Sequence, residues 1–192
     1  GVIGAGQIGQ HVIKIAKGFG MKVLAYDNKQ HPFLAEILRF KYVPLEFLLG
    51  HSDIITLHTP LVEQTKHLIN KNTIKKVKPG ALLINTARGE LIDTNALINA
   101  LDEGIIKGAG LDVLEGENYI AEDRELLKEE ISEKTMQILM KNRLLLERED
   151  VVVTPHIGFD SLEATRKILE TTRDNILGFL KGKPTNLINK KD

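Results

Sequence analysis

Residues 2–9 read Val-Ile-Gly-Ala-Gly-Gln-Ile-Gly, and what flanks the hexapeptide Gly4-Ala5-Gly6-Gln7-Ile8-Gly9 decides how it is taken. A G-x-G-x-x-G spacing alone turns up in loops by chance. Here it follows the apolar pair Val2-Ile3 and opens a helix-period stretch with Ile8, Val12, Ile15, Ala16 and Phe19 on one face. In such a strand–turn–helix, Gly4 allows the tight turn, Gly6 leaves no side chain to block a pyrophosphate, and Gly9 lets the helix approach the sheet. The amides of Gln7 and Ile8 fall at the helix N-terminus, where the peptide dipoles favour an anion. The strand formers KVLAY at 22–26 follow, and Asp27 ends them, 18 residues after Gly9. A carboxylate there accepts hydrogen bonds from both adenine-ribose hydroxyls and repels a 2′-phosphate, so NAD is expected rather than NADP.

The same alternation continues along the chain. Strands are expected at 53–58 (DIITLH), 81–86 (ALLINT), 108–113 (GAGLDV) and 151–154 (VVVT), with a weak extended segment opening at Val43. Between them lie an amphipathic stretch at 33–40, a short helix from Pro44 to about Gly50, a helical turn at 71–76 stopped by Pro79-Gly80, and a helix capped by Asp93 and ended by Gly104. Strands apolar on both faces and separated by helices specify an α/β fold, a doubly wound parallel sheet of the Rossmann type. Two segments break the rhythm. Residues 122–147 form a long charged helix pattern with Leu127, Ile131 and Ile138 on one stripe. Asp160-Ser161 with Glu163 reads as a capping box opening a helix to Leu180, striped by Leu162, Thr165, Leu169, Thr172 and Ile176. The polar tail after Gly182 reads as loose.

Composition narrows the function classes. The 192 residues carry 26 basic and 26 acidic side chains, so no net charge draws the chain to nucleic acid or anionic membrane. No cysteine is present, which removes disulfides, thiolate metal sites and a cysteine nucleophile, and no metal site is expected. No apolar run is long enough to span a bilayer. A cysteine-free chain suits the cytoplasm.

Ligands of a parallel sheet bind beyond the C-terminal strand ends. Four segments deliver polar groups there: His58-Thr59-Pro60, Arg88, Asp112 with Glu117, and His156 after Pro155. Each alone also suits a structural role: a surface charge, a turn cap, a solvated acid, a packed loop histidine. Jointly, behind a dinucleotide fingerprint, their chemistry fits one task. Arginine grips a planar carboxylate through two parallel hydrogen bonds. A histidine exchanges a proton with a hydroxyl near neutral pH. A glutamate beside it favours imidazolium and orients the ring. With a nicotinamide, the set reduces a 2-keto acid or oxidises a 2-hydroxy acid.

The segments GAGQIG, YD, HTPLVEQTKHLIN, INTARGELIDTNAL, GLDVLEGE and VVVTPHIGF, in this order, resemble the D-isomer-specific 2-hydroxyacid dehydrogenase family over residues 1 to about 183. The resemblance implies that Arg88 binds substrate, Glu117 pairs with the catalytic histidine and His156 is the acid/base. It also implies NAD contacts from Gln7, Ile8, Asp27, Thr59, Pro60, Thr65, Thr86, Ala87 and Asp112. Phe159 after His156-Ile157-Gly158, and Asn118 where a proline is common, are similar to the D-lactate dehydrogenase branch, so a D-lactate-like substrate is favoured.

The resemblance further implies a second, substrate domain, most of it outside this chain. Residues 1–159 are then the dinucleotide-binding domain, and 160–192 a C-terminal helix and tail returning to the substrate domain. On that reading the isolated chain binds NAD but turns over little, and a homodimer through the nucleotide domain is expected. The 39-residue step from Glu117 to His156 is longer than usual and is filled by the charged helix. Two other readings stay open: an NADH-sensing binding protein of the corepressor type in the same family, and a Rossmann domain for another nucleotide such as a methyl-donor cofactor. If His156 is the acid/base, keto acid reduction needs it protonated and the reverse reaction needs it neutral. Glu117→Gln then moves the reductive limb of the pH–rate profile of the full-length enzyme to lower pH. An unmoved limb makes Glu117 a surface charge only.

Overall fold

The structure is a computed structural model that describes residues 1–117 and 133–187. The first turn of chain sets the sheet. Strand β1 (Val2–Ile3) sends its two side chains to opposite faces, as successive strand residues must. Val2 joins one buried cluster, with Ala5, Ile13, Val23, Ala25 and Phe40. Ile3 joins the other, with Leu48, Leu57, Leu83, Leu97 and Leu111 among its members. The sheet is therefore buried on both faces.

Helix α1 (Gln7–Gly18) leads to β2 (Leu24–Tyr26), helix α2 (Pro32–Leu38), β3 (Lys41–Tyr42), helix α3 (Leu45–His51) and β4 (Ile54–Leu57). A 3₁₀ turn (Ile74–Lys76), β5 (Ala81–Asn85), a second 3₁₀ turn (Gly89–Leu91), helix α4 (Thr94–Asp102) and β6 (Ile106–Leu111) follow. Helix α5 (Glu133–Leu146), β7 (Val151–Val153) and helix α6 (Leu162–Leu180) complete the described elements. The seven strands pair in parallel in the order β3-β2-β1-β4-β5-β6-β7. Chain direction across the sheet reverses beside β1, between β2 on one side and β4 on the other. That crevice is where doubly wound folds hold ligands.

The doubly wound parallel sheet expected from sequence is present. Helix α1 differs from its expected face. Gly9 and Ile13 are buried and Val12 and Ala16 half-buried, whereas Ile8, Ile15 and Phe19 are 68%, 60% and 78% exposed. The helix has two apolar stripes, and Gly9 chooses between them. A Cβ at Gly9 would lie 1.9 Å from the Gly4 carbonyl oxygen, so only the glycine edge can face the strand. The extended segment placed at Val43 is the pair Lys41–Tyr42.

The chain separates into two compact units, Gly1–Pro155 and His156–Asp192. In the first, Asp93 caps α4 as expected, its Oδ1 accepting from the amides of Asn95 and Ala96 at 2.9 and 3.3 Å. Arg148 donates to both oxygens of Asp150 at 2.7 and 2.9 Å and also to Asp102, tying the entry to β7 to the end of α4. Of the charged helix pattern at 122–147, residues 133–146 are helical. Leu127 and Ile131 lie outside the described residues, and Asn142 and Leu145 of α5 are buried.

In the second unit Ser161 caps α6, its Oγ accepting from the Ala164 amide at 3.1 Å. That register puts Glu163 one position short of the place a capping box requires, so its charge faces the helix dipole without closing the box. The stripe Leu162, Thr165, Leu169, Thr172 and Ile176 is exposed, because this unit is one helix and its tail, with no second layer among the described residues. The tail is not loose as far as Asn186. The Lys183 amide donates to the Gly178 carbonyl at 2.9 Å, and Asn186 Nδ2 donates to Asn175 Oδ1 at 2.8 Å. Among the described residues no helix is long and apolar enough to cross a membrane.

The two-faced core makes a testable contrast on β5. Leu83 is fully buried and Leu82 is 38% exposed. Leu83→Ala should destabilise by about 2–5 kcal/mol in chemical denaturation and Leu82→Ala by no more than about 1 kcal/mol.

Candidate functional site at the C-terminal edge of the sheet

Gly4 leaves β1 in a left-handed conformation (φ 96°), with its amide donating to the Tyr26 carbonyl at 2.8 Å. A side chain there would strike the His58 carbonyl group at 2.7 Å and Thr59 at 2.9 Å. The glycine turn is thus pressed against the exit of β4. Gly6 is the opposite case. A Cβ there meets nothing within 4 Å, so the space above the turn is open and the start of α1 faces it. Gln7 and Ile8 are exposed in the first turn of α1. Asp27, at the end of β2, reaches back to this turn. Its Oδ2 accepts from the Ala5 amide at 2.7 Å and its Oδ1 from the Lys29 amide at 2.8 Å. The expected ribose ligand therefore also holds the phosphate turn in shape.

Thr59 contributes a hydroxyl that is buried and has no hydrogen-bond partner. Such a group costs free energy unless a ligand satisfies it. Open space over Gly6, an orphaned hydroxyl beside Gly4 and a carboxylate at the end of β2 together fit a dinucleotide. Thr65, expected to touch that ligand, is occupied in shaping the loop. Its Oγ1 donates toward the Pro60 carbonyl at 2.6 Å and accepts from the Val62 amide at 2.9 Å. Pro60 is held through its carbonyl by this bond.

His58 packs behind the turn, its Nε2 2.9 Å from the Thr56 hydroxyl. Burial removes water from the imidazolium form and lowers the His58 pKa from its ordinary 6.5.

At β5 the buried Asn85 side chain builds the next loop. Its Oδ1 accepts from the Ala87 amide at 3.0 Å and its Nδ2 donates to the Arg88 carbonyl at 2.9 Å. This leaves Thr86 and Arg88 exposed beyond the strand. Gly89 then makes the closest backbone approach in this part of the fold. A Cβ there would lie 2.0 Å from the Leu114 carbonyl carbon and 2.4 Å from the Glu115 amide nitrogen. The loop carrying Arg88 is thereby packed on the turn carrying Glu117.

That turn runs over residues 114–117. The Glu117 amide donates to the Leu114 carbonyl at 3.2 Å, and Glu117 Oε2 accepts from the Leu114 amide at 3.0 Å. Asp112, buried at the end of β6, accepts from the Thr154 hydroxyl at 2.5 Å, which links the ends of β6 and β7. His156 opens the second unit, in a left-handed conformation (φ 53°), with its ring edge-on to Phe159 at 6.0 Å between centroids. Within the first unit the structure brings Gly4, Gly6, Asp27 and Thr59 together at one turn, and Arg88 and Glu117 onto abutting segments.

Sequence reasoning missed Gly89, Asn85, Glu115, His67 and Thr94. Their partners are set by tertiary packing rather than spacing: Glu115 meets His67 48 residues away and Thr94 21 residues away. A glycine directly after a candidate arginine was the one local signal. Among the described residues no cluster of His, Cys, Asp or Glu could hold a metal ion.

Comparison with known proteins gives a consistent result. Residues 1–158 match the family model described as D-isomer specific 2-hydroxyacid dehydrogenase, NAD binding domain. A glyoxylate reductase of Thermococcus litoralis is 43% identical over 191 residues, covering 99% of this chain and 51% of that protein. The pyruvate reductase structure of Chlamydomonas reinhardtii superposes with a TM-score of 0.84 at 43% identity, over 97% of this chain and 54% of its own. D-lactate dehydrogenase of Aquifex aeolicus, complexed with NAD and lactic acid, gives a TM-score of 0.83 at 38% identity, over 95% and 53%. The chain spans about half the length of the curated relatives it matches.

The half-buried His58 predicts a pH effect of definite sign. With the folded pKa below 6.5, the unfolded chain takes the proton first as pH falls. The contribution to stability is full above about 6.5 and is lost as pH drops through the folded value. His58→Gln, which keeps a hydrogen-bonding group for Thr56, should flatten the acid-side decline in stability measured by denaturation at stepped pH. An unchanged decline shows that His58 does not carry it.

Proposed function

Because the chain belongs to the D-isomer specific 2-hydroxyacid dehydrogenase family, as its NAD-binding domain, we propose that the whole protein is an NAD-dependent oxidoreductase interconverting a short 2-keto acid and the D-2-hydroxy acid. One observation carries the reading furthest: Gly89 packs the Arg88 loop against the turn of Glu117, at the strand edge that also holds the glycine turn and Asp27.

Bound NAD(H) supplies the hydride acceptor or donor. The chain's own groups do the rest. Gly6 leaves room for the pyrophosphate, Thr59 offers its unpartnered hydroxyl, and Asp27 takes the adenine-ribose hydroxyls while rejecting a 2′-phosphate. Arg88 holds the substrate carboxylate through two parallel hydrogen bonds and polarises the carbonyl. In keto acid reduction His156 would give a proton to the carbonyl oxygen, and in the reverse direction it would take the hydroxyl proton. Glu117 favours the charged imidazole. Residues 160–192 belong, on this reading, to the substrate domain whose closure excludes water.

For the substrate we favour pyruvate and D-lactate. Phe159, edge-on to His156, presents an apolar ring beside the acid/base, which suits a methyl group better than a hydroxyl. Neighbours named pyruvate reductase and D-lactate dehydrogenase support this, and those named glyoxylate reductase and hydroxypyruvate reductase bracket it with other short keto acids. A cytoplasmic homodimer is part of the same proposal. The exposed Ile15 and Phe19 of α1 support burial against another surface.

The test is NADH consumption by the full-length protein with pyruvate, glyoxylate and hydroxypyruvate, with NADPH as control. Turnover with NADH, highest on pyruvate, is expected. Arg88→Lys should lower kcat/KM for the keto acid by about ten- to a hundredfold, the worth of a charge-assisted bond. No reduction of any 2-keto acid, or full activity of the Lys variant, overturns the assignment.

A further inference from the structure

We propose that Glu115 is a positioning residue that fixes the 114–117 turn and with it Glu117, and that His67 is its tether to the loop after β4; this rests on the role given to Glu117 above. Three parts of the fold converge on Glu115. Its Oε1 accepts from His67 Nε2 at 2.7 Å. Its Oε2 accepts from the Thr94 hydroxyl at 2.8 Å, at the start of α4. Its backbone carbonyl accepts from Nδ2 of the buried Asn142 on α5 at 2.8 Å. Gly89 closes the remaining side by lying against the Leu114–Glu115 peptide.

The turn itself is slight. It has one amide-to-carbonyl bond and a left-handed Gly116 (φ 73°) at its third position. The Glu117 carboxylate bonds the Leu114 amide of the same turn at 3.0 Å, so it moves as the turn moves. Tilting the turn by about 1 Å would misplace that carboxylate by a catalytically costly amount. Glu115 supplies the rigidity that the turn lacks.

His67 adds an independent argument. It sits at φ 50°, a left-handed conformation that costs a residue with a Cβ and that glycine adopts freely. Its amide donates to the Glu90 carbonyl at 2.7 Å, and its own carbonyl accepts from Asn70 Nδ2 at 2.9 Å. Backbone demands alone would be met better by glycine. What only histidine adds is a ring nitrogen that reaches Glu115.

That separation gives the experiment, run on the full-length enzyme. His67→Gly and His67→Asn both accept the backbone conformation and neither reaches Glu115. Relief of backbone strain in the glycine variant offsets the lost bond to Glu115, so its thermal midpoint should change little, and that of the asparagine variant should fall modestly. Expected with it are a fall in kcat for keto acid reduction of about tenfold or more, an unchanged KM for NADH, and faster hydrogen exchange at the Leu114 amide. Glu115→Gln, which keeps the acceptor for Thr94, should retain more activity than Glu115→Ala. An unchanged kcat, or a kcat that falls only in step with the thermal midpoint, overturns the positioning role. If the wild-type protein reduces no 2-keto acid, the reading of function fails instead. The Leu114 exchange rate needs no substrate and still decides whether His67 holds the turn.

Discussion

The arrangement of the nucleotide site depends on one close contact, the approach of Gly9 to the Gly4 carbonyl. A methyl group at position 9 would overlap that oxygen at 1.9 Å, so the contact exists only because neither residue has a side chain in the way. It fixes how deep α1 sits on the sheet and how the helix is rotated. Rotation then decides which of two apolar stripes is buried, and it aims the first turn of α1 at the open space above Gly6. Asp27 completes the unit by hydrogen bonding to Ala5, inside the turn. The Asp27 carboxylate and the glycine turn, to which the proposed function gives cofactor choice and phosphate binding, are thus one hydrogen-bonded piece. Binding a dinucleotide requires little ordering there, which is where preorganisation benefits affinity.

A second contact of the same kind joins the segments that carry Arg88 and Glu117. Gly89 meets the Leu114–Glu115 peptide as closely as Gly9 meets Gly4. Between the two lies the β4 exit, where Thr59 keeps an unpartnered hydroxyl and Thr65 pins its loop. Backbone-to-backbone contacts cannot flex as side chains do, so loops joined in this way shift together or not at all. Such stiffness suits a site built on loops, whose groups must hold position to within a fraction of an ångström.

The sheet, its parallel sense and the glycine turn were legible in the sequence because each is written locally. Apolar runs of strand length, a glycine at fixed spacing and an acid at the next strand end all lie within about 20 residues of one another. Asp93 as a cap was legible for the same reason. The face of α1 was not. Periodicity scores Ile8, Ile15 and Phe19 as highly as Ile13, and only the three-dimensional approach at Gly9 breaks the tie. The capping register of α6 slipped by one because Asp160 and Ser161 are both good caps. Glu115 was hidden because it sits two residues from Glu117 with the same chemistry, and its partners come from distant helices and loops.

Strain is distributed in a way that separates scaffold from site. Among the described residues four non-glycine positions are left-handed: Arg39, His67, His156 and Asn186. Arg39 ends α2 as its C-cap, and Asn186 lies in the tail that folds back on α6, places where such conformations are common. The two histidines occupy neither kind of place. His67 is held by hydrogen bonds to its amide, its carbonyl and its ring, which together over-determine a conformation that histidine would otherwise leave. A strained residue persists when its surroundings have a use for its side chain. Here that side chain meets Glu115 Oε1 at 2.7 Å, across the 48 residues that separate the two loops in sequence.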